Sequence, residues 1–355
     1  MAAETKAARR PVIAVLPRVS QALTTFFMWL IVGGVGLVLL GNLIKTPAQF
    51  LSVMLLGITF GAIYALVALG YTLVYGIIEL INFAHGDVFM WGTMVSVTVA
   101  AHWLGLNGSQ PGWETTLGCL VTLVFAMTFC GTLNVVIERF AYRPLRNAPK
   151  LSPLITAIGV SFMLQNAALL VYSPQEQGVG PIFPTNTLFT LGGVPYEAKS
   201  LLVVLITIPV LAVLTYLVRS TRQGKAMRAV AQDTEAARMM GIDVNRTIAY
   251  TFALGGVLAG AAGMLFVMYQ TTTRYDLGFQ LGLFAFTAAV LGGIGNLPGA
   301  ALGALLIGLI QAFNEGLGWH MPGSDWTQSM IFSILILVLV FRPQGLLGEQ
   351  VADRA

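Results

Sequence analysis

The sequence predicts an all-α polytopic membrane protein with about ten transmembrane helices. Three observations carry that expectation. Of 355 residues, 56% are hydrophobic and only 10% are charged, against roughly 25% charged in a soluble domain. Mean hydropathy is +0.80. The charged residues are gathered between long charge-free runs. A soluble domain of this size could not keep its surface wet with so few charges, and disorder requires low hydrophobicity. The 39 glycines, in so apolar a chain, suggest closely packed membrane helices. A net charge of +4 is a weak pointer to nucleic acid, because placement of positive charge matters more than its sum in a membrane protein.

A helix needs about 20 apolar residues to cross a ~30 Å hydrocarbon core. The charge-free runs place spans near 23–44, 48–75, 88–106, 115–137, 151–172, 201–218, 247–272, 277–292, 299–314 and 326–341. The run from Asp276 to Glu315 would make a helix of roughly 57 Å, so it is expected to fold back at Gly292-Gly293-Ile294-Gly295-Asn296-Leu297-Pro298-Gly299, which supplies turn chemistry. The first apolar run, about 22 residues with no small-x-small site after it, is too long for a signal-peptide core and is expected to stay as a span.

Lys and Arg set the orientation. Lys6, Arg9, Arg10 and Arg18 lie in the N-terminal tail. Arg139, Arg143, Arg146 and Lys150 follow span 4. Arg219, Arg222, Lys225, Arg228, Arg238 and Arg246 occupy 219–246, and Arg342 and Arg354 follow the last span. Ten spans put these 16 of the 19 basic residues on one side, the cytoplasmic one with both termini, leaving Lys45, Lys199 and Arg274 outside. Spans 2–5 start outside and spans 7–10 start inside, the layout of an inverted-topology repeat. Cys119 and Cys130 lie eleven residues apart in one run, about 16 Å along a helix, too far for a disulfide. They read as small apolar core residues.

No phosphate-binding loop is present, since Gly224-Lys225 is followed by Ala226 and lacks the upstream glycine. No metal-spaced His, Cys and acid cluster and no G-x-S-x-G is found. Enzymatic chemistry is therefore not expected of this chain. Polar residues concentrate instead in three places. Between spans 2 and 3, the segment 75–87 holds Glu79, Asn82, His85 and Asp87. Span 2 with this extension is too long for one helix, so a break near Gly76 or Gly86 is expected. Such groups either line a path or form a cytoplasmic turn in which Asp87 caps the helix of span 3. In 219–246, Asp233 can cap a short helix with Glu235 in its first turn and Arg238 in its last. Gly241 supplies a left-handed stop. Ala236, Met239 and Met240 share a face that so short a helix cannot bury, so it either docks another protein or packs back on the bundle. The third place, external 173–200, is rich in Pro and Gly and either receives a partner or caps the bundle. Gly255, Gly256, Gly260 and Gly263 in span 7 read as close helix packing.

At these residues the sequence resembles a known family. The run Ile81-Asn82-Phe83-Ala84-His85-Gly86-Asp87 is similar to the signature of the H-type (LivH) permeases of branched-chain amino acid ABC importers. So are Glu138-Arg139-Phe140-Ala141-Tyr142-Arg143-Pro144-Leu145-Arg146, Ile155-Thr156-Ala157-Ile158-Gly159, Leu164-Gln165-Asn166, Phe286–Gly295 and Arg342-Pro343-Gln344-Gly345. The resemblance covers roughly 50–347. It implies a permease domain over 45–347, between a cytoplasmic tail (1–22) with an extra span (23–44) and a second tail (348–355). It implies a multi-pass protein of the bacterial inner membrane and, as partners, a second, M-type permease, two ATPases that hold ATP and Mg, and a periplasmic binding protein, with no cofactor in this chain. Glu235-Ala236-Ala237 with Gly241 is similar to the EAA loop that sits in an ATPase groove, so Asp233, Glu235, Ala236, Ala237, Met239, Met240 and Gly241 are the expected coupling residues. Tyr64, Tyr71, Asn82, His85, Gln165 and Asn166 are candidate path residues. Tyr64 and Tyr71 are seven apart, on one helical face. Urea or short amides are alternative substrates. A stand-alone secondary transporter is an alternative function and would need a paired intramembrane ion site, which the sequence does not show.

Overall fold

The computed structural model describes residues 33–78, 80, 82–106, 112–146, 148–149, 151–182, 187–342 and 344–348. Expectations for 1–32, Glu79 and 349–355 fall outside these residues. Helices dominate: α1 (Gly33–Lys45), α2 (Pro47–Ile78), α3 (His85–Val97), α4 (Trp113–Ile137), α5 (Leu151–Tyr172), α6 (Ala198–Ser220), α7 (Arg222–Gln232), α8 (Thr234–Met239), α9 (Val244–Gln270), α10 (Leu277–Gly292), α11 (Leu297–Gly316) and α12 (Thr327–Phe341). Among the described residues seven helical segments are long and apolar enough to cross a membrane, and α1 and α10 are shorter apolar helices. α3 reaches Trp103 through a π-turn (Thr98–Trp103), and α4 reaches Leu145 through a π-turn (Glu138–Tyr142) and a 3₁₀ turn (Arg143–Leu145).

The helices sort into an inner and an outer set. α9 has 83% of its most apolar stretch buried within the chain, whereas α6 has 17% and the last span 11%. The outer helices therefore present their apolar faces to lipid or to a partner. α2 packs on α11, α9 and α10, and α9 also packs on α3 and α4. Small residues allow these crossings, as the span-7 glycines led us to expect. A Cβ on Gly260 would run into the Ala126 carbonyl and come within 2.9 Å of the Met127 Cα. On the other side, a Cβ on Gly61 would lie 2.7 Å from the Leu305 Cα. Gly260→Leu is expected to cost about 1–3 kcal/mol of stability through overpacking, read as a lowered unfolding midpoint in detergent.

The expected break is present, between the two glycines: Gly76 lies in the last turn of α2 and Gly86 in the first turn of α3. The helix stops at Ile78 and restarts at His85. Gly86 also allows a close approach: a Cβ there would strike the Gly278 carbonyl and lie 2.7 Å from the Gly282 Cα of α10. Asp87 does not cap α3. The N-cap is Ala84 with no side-chain bond, because the Asp87 carboxylate is turned to α5. In 219–246 a second amphipathic helix, α7, precedes the expected short one. It buries Gly224, Met227 and Val230, three residues apart, and is capped by Thr221 Oγ1, which accepts from Gly224 N at 3.1 Å. Short strands form within 173–200. β1 (Gln177–Gly178) pairs antiparallel with β4 (Thr272–Thr273), and β2 (Thr187–Leu191) pairs with β3 (Val194–Glu197).

The turn between α10 and α11 forms where the Gly-rich run places it, with Gly293 at φ +105° and Gly295 at φ +94°, a region glycine enters without cost. Cys119 and Cys130 are free and buried. The end of α1 clasps the α11–α12 connection: Asn42 Nδ2 donates to the Trp319 carbonyl at 3.0 Å, and Lys45 Nζ sits 4.0 Å over the Trp319 ring.

Candidate functional site

The break between α2 and α3 gathers most of the polar groups that the sequence singled out. The His85 ring is fully buried and lies edge-on to Tyr71, centroids 4.8 Å apart. It leans so closely on α2 that a Cβ on Gly70 would overlap it. Asp87, one half-turn further, is also buried. Gln165 Nε2 of α5 donates to Asp87 Oδ1 at 3.0 Å and to Ser161 Oγ at 3.2 Å. Asn82, in the break itself, accepts at Oδ1 from Tyr142 Oη at 2.8 Å. Buried polar groups cost little only when paired, so these bonds hold the non-helical backbone in place. Removing the Tyr142 hydroxyl (Tyr142→Phe) leaves Asn82 Oδ1 unpaired and is expected to cost about 1–3 kcal/mol, measured as the shift in unfolding midpoint.

Two of the six path candidates lie elsewhere. Tyr64 shares the buried face of α2 with Tyr71, but its hydroxyl donates to Gln311 Oε1 of α11 at 2.6 Å, and its ring meets Phe284. Asn166 is exposed on the outer face of α5, with Nδ2 donating to the Phe162 carbonyl at 2.8 Å.

Next to the break lies a buried ion cluster within the segment 138–146, to which the sequence assigns orientation and family resemblance but no pairing. Glu138 is 0% exposed and accepts from Arg143 Nε at 3.4 Å and from Arg146. Burial lowers the Arg146 pKa, and the Glu138 charge opposes that shift. The signal was available: an acid at the end of an apolar run with arginines five and eight residues on, of which the eighth turns back to it.

The second site is the corner α7–α8. Asp233 Oδ1 accepts from Glu235 N at 2.9 Å and Ala236 N at 3.0 Å, capping α8 as its position implies. Gly241 stops the helix with φ +81°. Glu235 is exposed, Ala236 is half-buried, and Ala237 turns inward. Met239 and Met240 are each 82% exposed, so α8 leaves an apolar pair outside the bundle. A cavity of about 520 Å³ separates this corner from the end of α2, lined among others by Ile78, Leu80, Arg146, Asp233, Glu235 and Arg238. Among the described residues no group of His, Cys, Asp and Glu could hold a metal ion.

Residues 53–340 match the family described as branched-chain amino acid transport system / permease component. The chain belongs to that family of ABC transporter permeases. It is 39% identical over 309 residues to the high-affinity branched-chain amino acid transport system permease protein BraD of Pseudomonas aeruginosa, covering 86% of this chain and 98% of that one. It is 37% identical over 310 residues to LivH of Escherichia coli, covering 86% and 97%. A more distant relative, the autoinducer 2 import system permease protein LsrD of Klebsiella pneumoniae, is 28% identical over 260 residues, covering 68% and 72%. The permease family and the apolar helices together make this an integral membrane protein with a transport role, and its relatives are transport subunits rather than enzymes.

Proposed function

We propose that this permease forms, with a second M-type permease, the translocation path of an ATP-driven importer of branched-chain amino acids in the bacterial inner membrane. ATP and Mg²⁺ belong to two partner ATPases, and a periplasmic binding protein delivers the substrate. The observation that carries coupling is the α7–α8 corner, where a capped six-residue helix holds two methionines out of the bundle. Methionine adapts to a partner's surface. ATP binding closes the ATPases, α8 moves with them, and the permease pair exchanges one open side for the other. Differential contacts in the two states supply the drive.

Ten spans with both termini cytoplasmic fit the helices that the charges bracket. The pairing of helices supports an inverted repeat. If α2–α5 correspond to α9–α12, the packing of α2 on α11 matches that of α9 on α4. The packing of α3 on α9 likewise matches that of α10 on α2, and α3 on α4 matches α10 on α11. The α7–α8 corner lies between the two halves in sequence. Apolar walls with few fixed charges suit a zwitterion with an aliphatic side chain, and tight binding inside would slow its release.

The reading is tested by reconstituting the chain with its partner permease, ATPases and binding protein in lipid vesicles. Leucine uptake should require ATP and the binding protein and should be competed by isoleucine and valine. Competition by urea or short amides would move the substrate assignment. Uptake by this chain alone without ATP would replace the importer with a secondary transporter.

A further inference from the structure

Movement of the α7–α8 corner can switch the permease only if it reaches the broken span. α4 continues beyond Ile137 through a π-turn and a 3₁₀ turn to Leu145. Its π-turn admits an extra residue, which brings Glu138 and Tyr142 inward while Arg139 and Phe140 between them stay exposed. Tyr142 holds Asn82 in the break at 2.8 Å, and its ring packs on Phe252 of α9 at 5.4 Å. Glu138 takes both of its arginine contacts on one carboxylate oxygen. Its second oxygen is buried without a hydrogen-bond partner among the described residues. Arg146 is the second member. One nitrogen binds Glu138, and another donates to Asn245 Oδ1 at 2.7 Å in the first turn of α9, immediately after the α8 stop. The same side chain lines the cavity that Asp233, Glu235 and Arg238 also line.

We propose that Glu138 and Arg146 are positioning residues that link the α7–α8 corner to the α2–α3 break. This rests on the importer reading above. When α8 shifts, the start of α9 and Asn245 shift with it. Arg146 then either follows, pulling on the carboxylate one turn before Tyr142, or releases it toward Asp233 and Glu235, which line the same cavity. A carboxylate buried with half of its acceptor capacity unused depends on its guanidinium partners, and without Arg146 only Arg143, whose Nε lies 3.4 Å away, is left to it. The pair therefore has two arrangements of unequal energy, which is what transmission between two sites requires.

The test uses the full transporter in vesicles, with ATP hydrolysis and leucine uptake measured on the same preparation. Glu138→Gln and Arg146→Gln should each lower the number of leucines moved per ATP by at least about tenfold while hydrolysis persists, within the usual range of coupling between sites. The double variant should be no worse than either single, because both remove one link. Asn245→Ala, at an exposed position, cannot disturb the core and should lower the ratio by about threefold. Arg139→Gln, an exposed neighbour that loses the same charge, should leave the ratio unchanged. An unchanged ratio in both buried-pair variants overturns the link, as do effects that multiply in the double variant. If the buried variants fail to assemble, an unchanged ratio in Asn245→Ala overturns it alone. Wild-type protein without ATP-driven uptake would overturn the importer reading instead, so the two failures are distinguishable.

Discussion

Ala236→Arg combined with Gly241→Lys is expected to abolish most ATP-driven uptake while the membrane bundle still assembles. Ala236 is half-buried beside two methionines that point away from the bundle. A long cation there places charge on the apolar surface offered to the partner, and one disrupted anchor of an interface commonly costs about 2 kcal/mol or more. Gly241 stands at φ +81° with nothing within 4 Å of an added Cβ. The space is free, but a lysine in that conformation costs roughly 1–2 kcal/mol, and it loosens the stop that keeps α8 short. Uptake should fall by at least about tenfold, and the ATPases should no longer co-purify. Full uptake by the double variant would end the docking assignment.

Gly86→Val is expected to damage the protein itself. Gly86, Gly278 and Gly282 let the start of α3 and the start of α10 touch backbone to backbone. A valine there meets the Gly278 carbonyl and lies 2.7 Å from the Gly282 Cα at its Cβ alone, before its methyls are placed. Neither neighbour is a side chain that can rotate away, so the cost should reach the upper end of overpacking, about 3 kcal/mol. The expected results are a low yield of folded protein and a lowered unfolding midpoint, with the surviving fraction unable to hold His85 and Asp87 in place. A stable, transport-competent Gly86→Val protein would show that the crossing tolerates separation and that the break is not held by it.

The α8 element was legible because its determinants are local. Asp233, the six residues of α8 and Gly241 are neighbours in the chain, and a cap or a left-handed stop depends on nothing distant. α7 escaped notice because Met227 and Val230 are sparse among charged residues, and its apolar face matters only once a core lies beneath it. The strands Gln177–Gly178 and Thr272–Thr273 are too short to carry a periodic pattern, and their pairing is non-local. A carboxylate near a helix start usually caps it, which is one of the two roles that the sequence leaves open for Asp87. Here Gln165, 78 residues away, claimed it instead. Nothing in the local sequence shows that Arg146 turns back onto Glu138, because that contact depends on the π-turn and 3₁₀ turn between them.

What the sequence by itself determined is the solvent in which this chain folds, the placement of its apolar helices and the local stops between them. The bilayer demands a length of apolar residues and confines charge to the ends, and both demands are written residue by residue. The tertiary structure alone decided which polar groups meet. Tyr71 with His85, Gln165 with Asp87, Tyr142 with Asn82 and Arg146 with Glu138 all depend on how each helix is rotated and how closely it approaches the next. Those quantities are set by glycine crossings between helices remote in sequence, where a single Cβ decides whether two backbones touch.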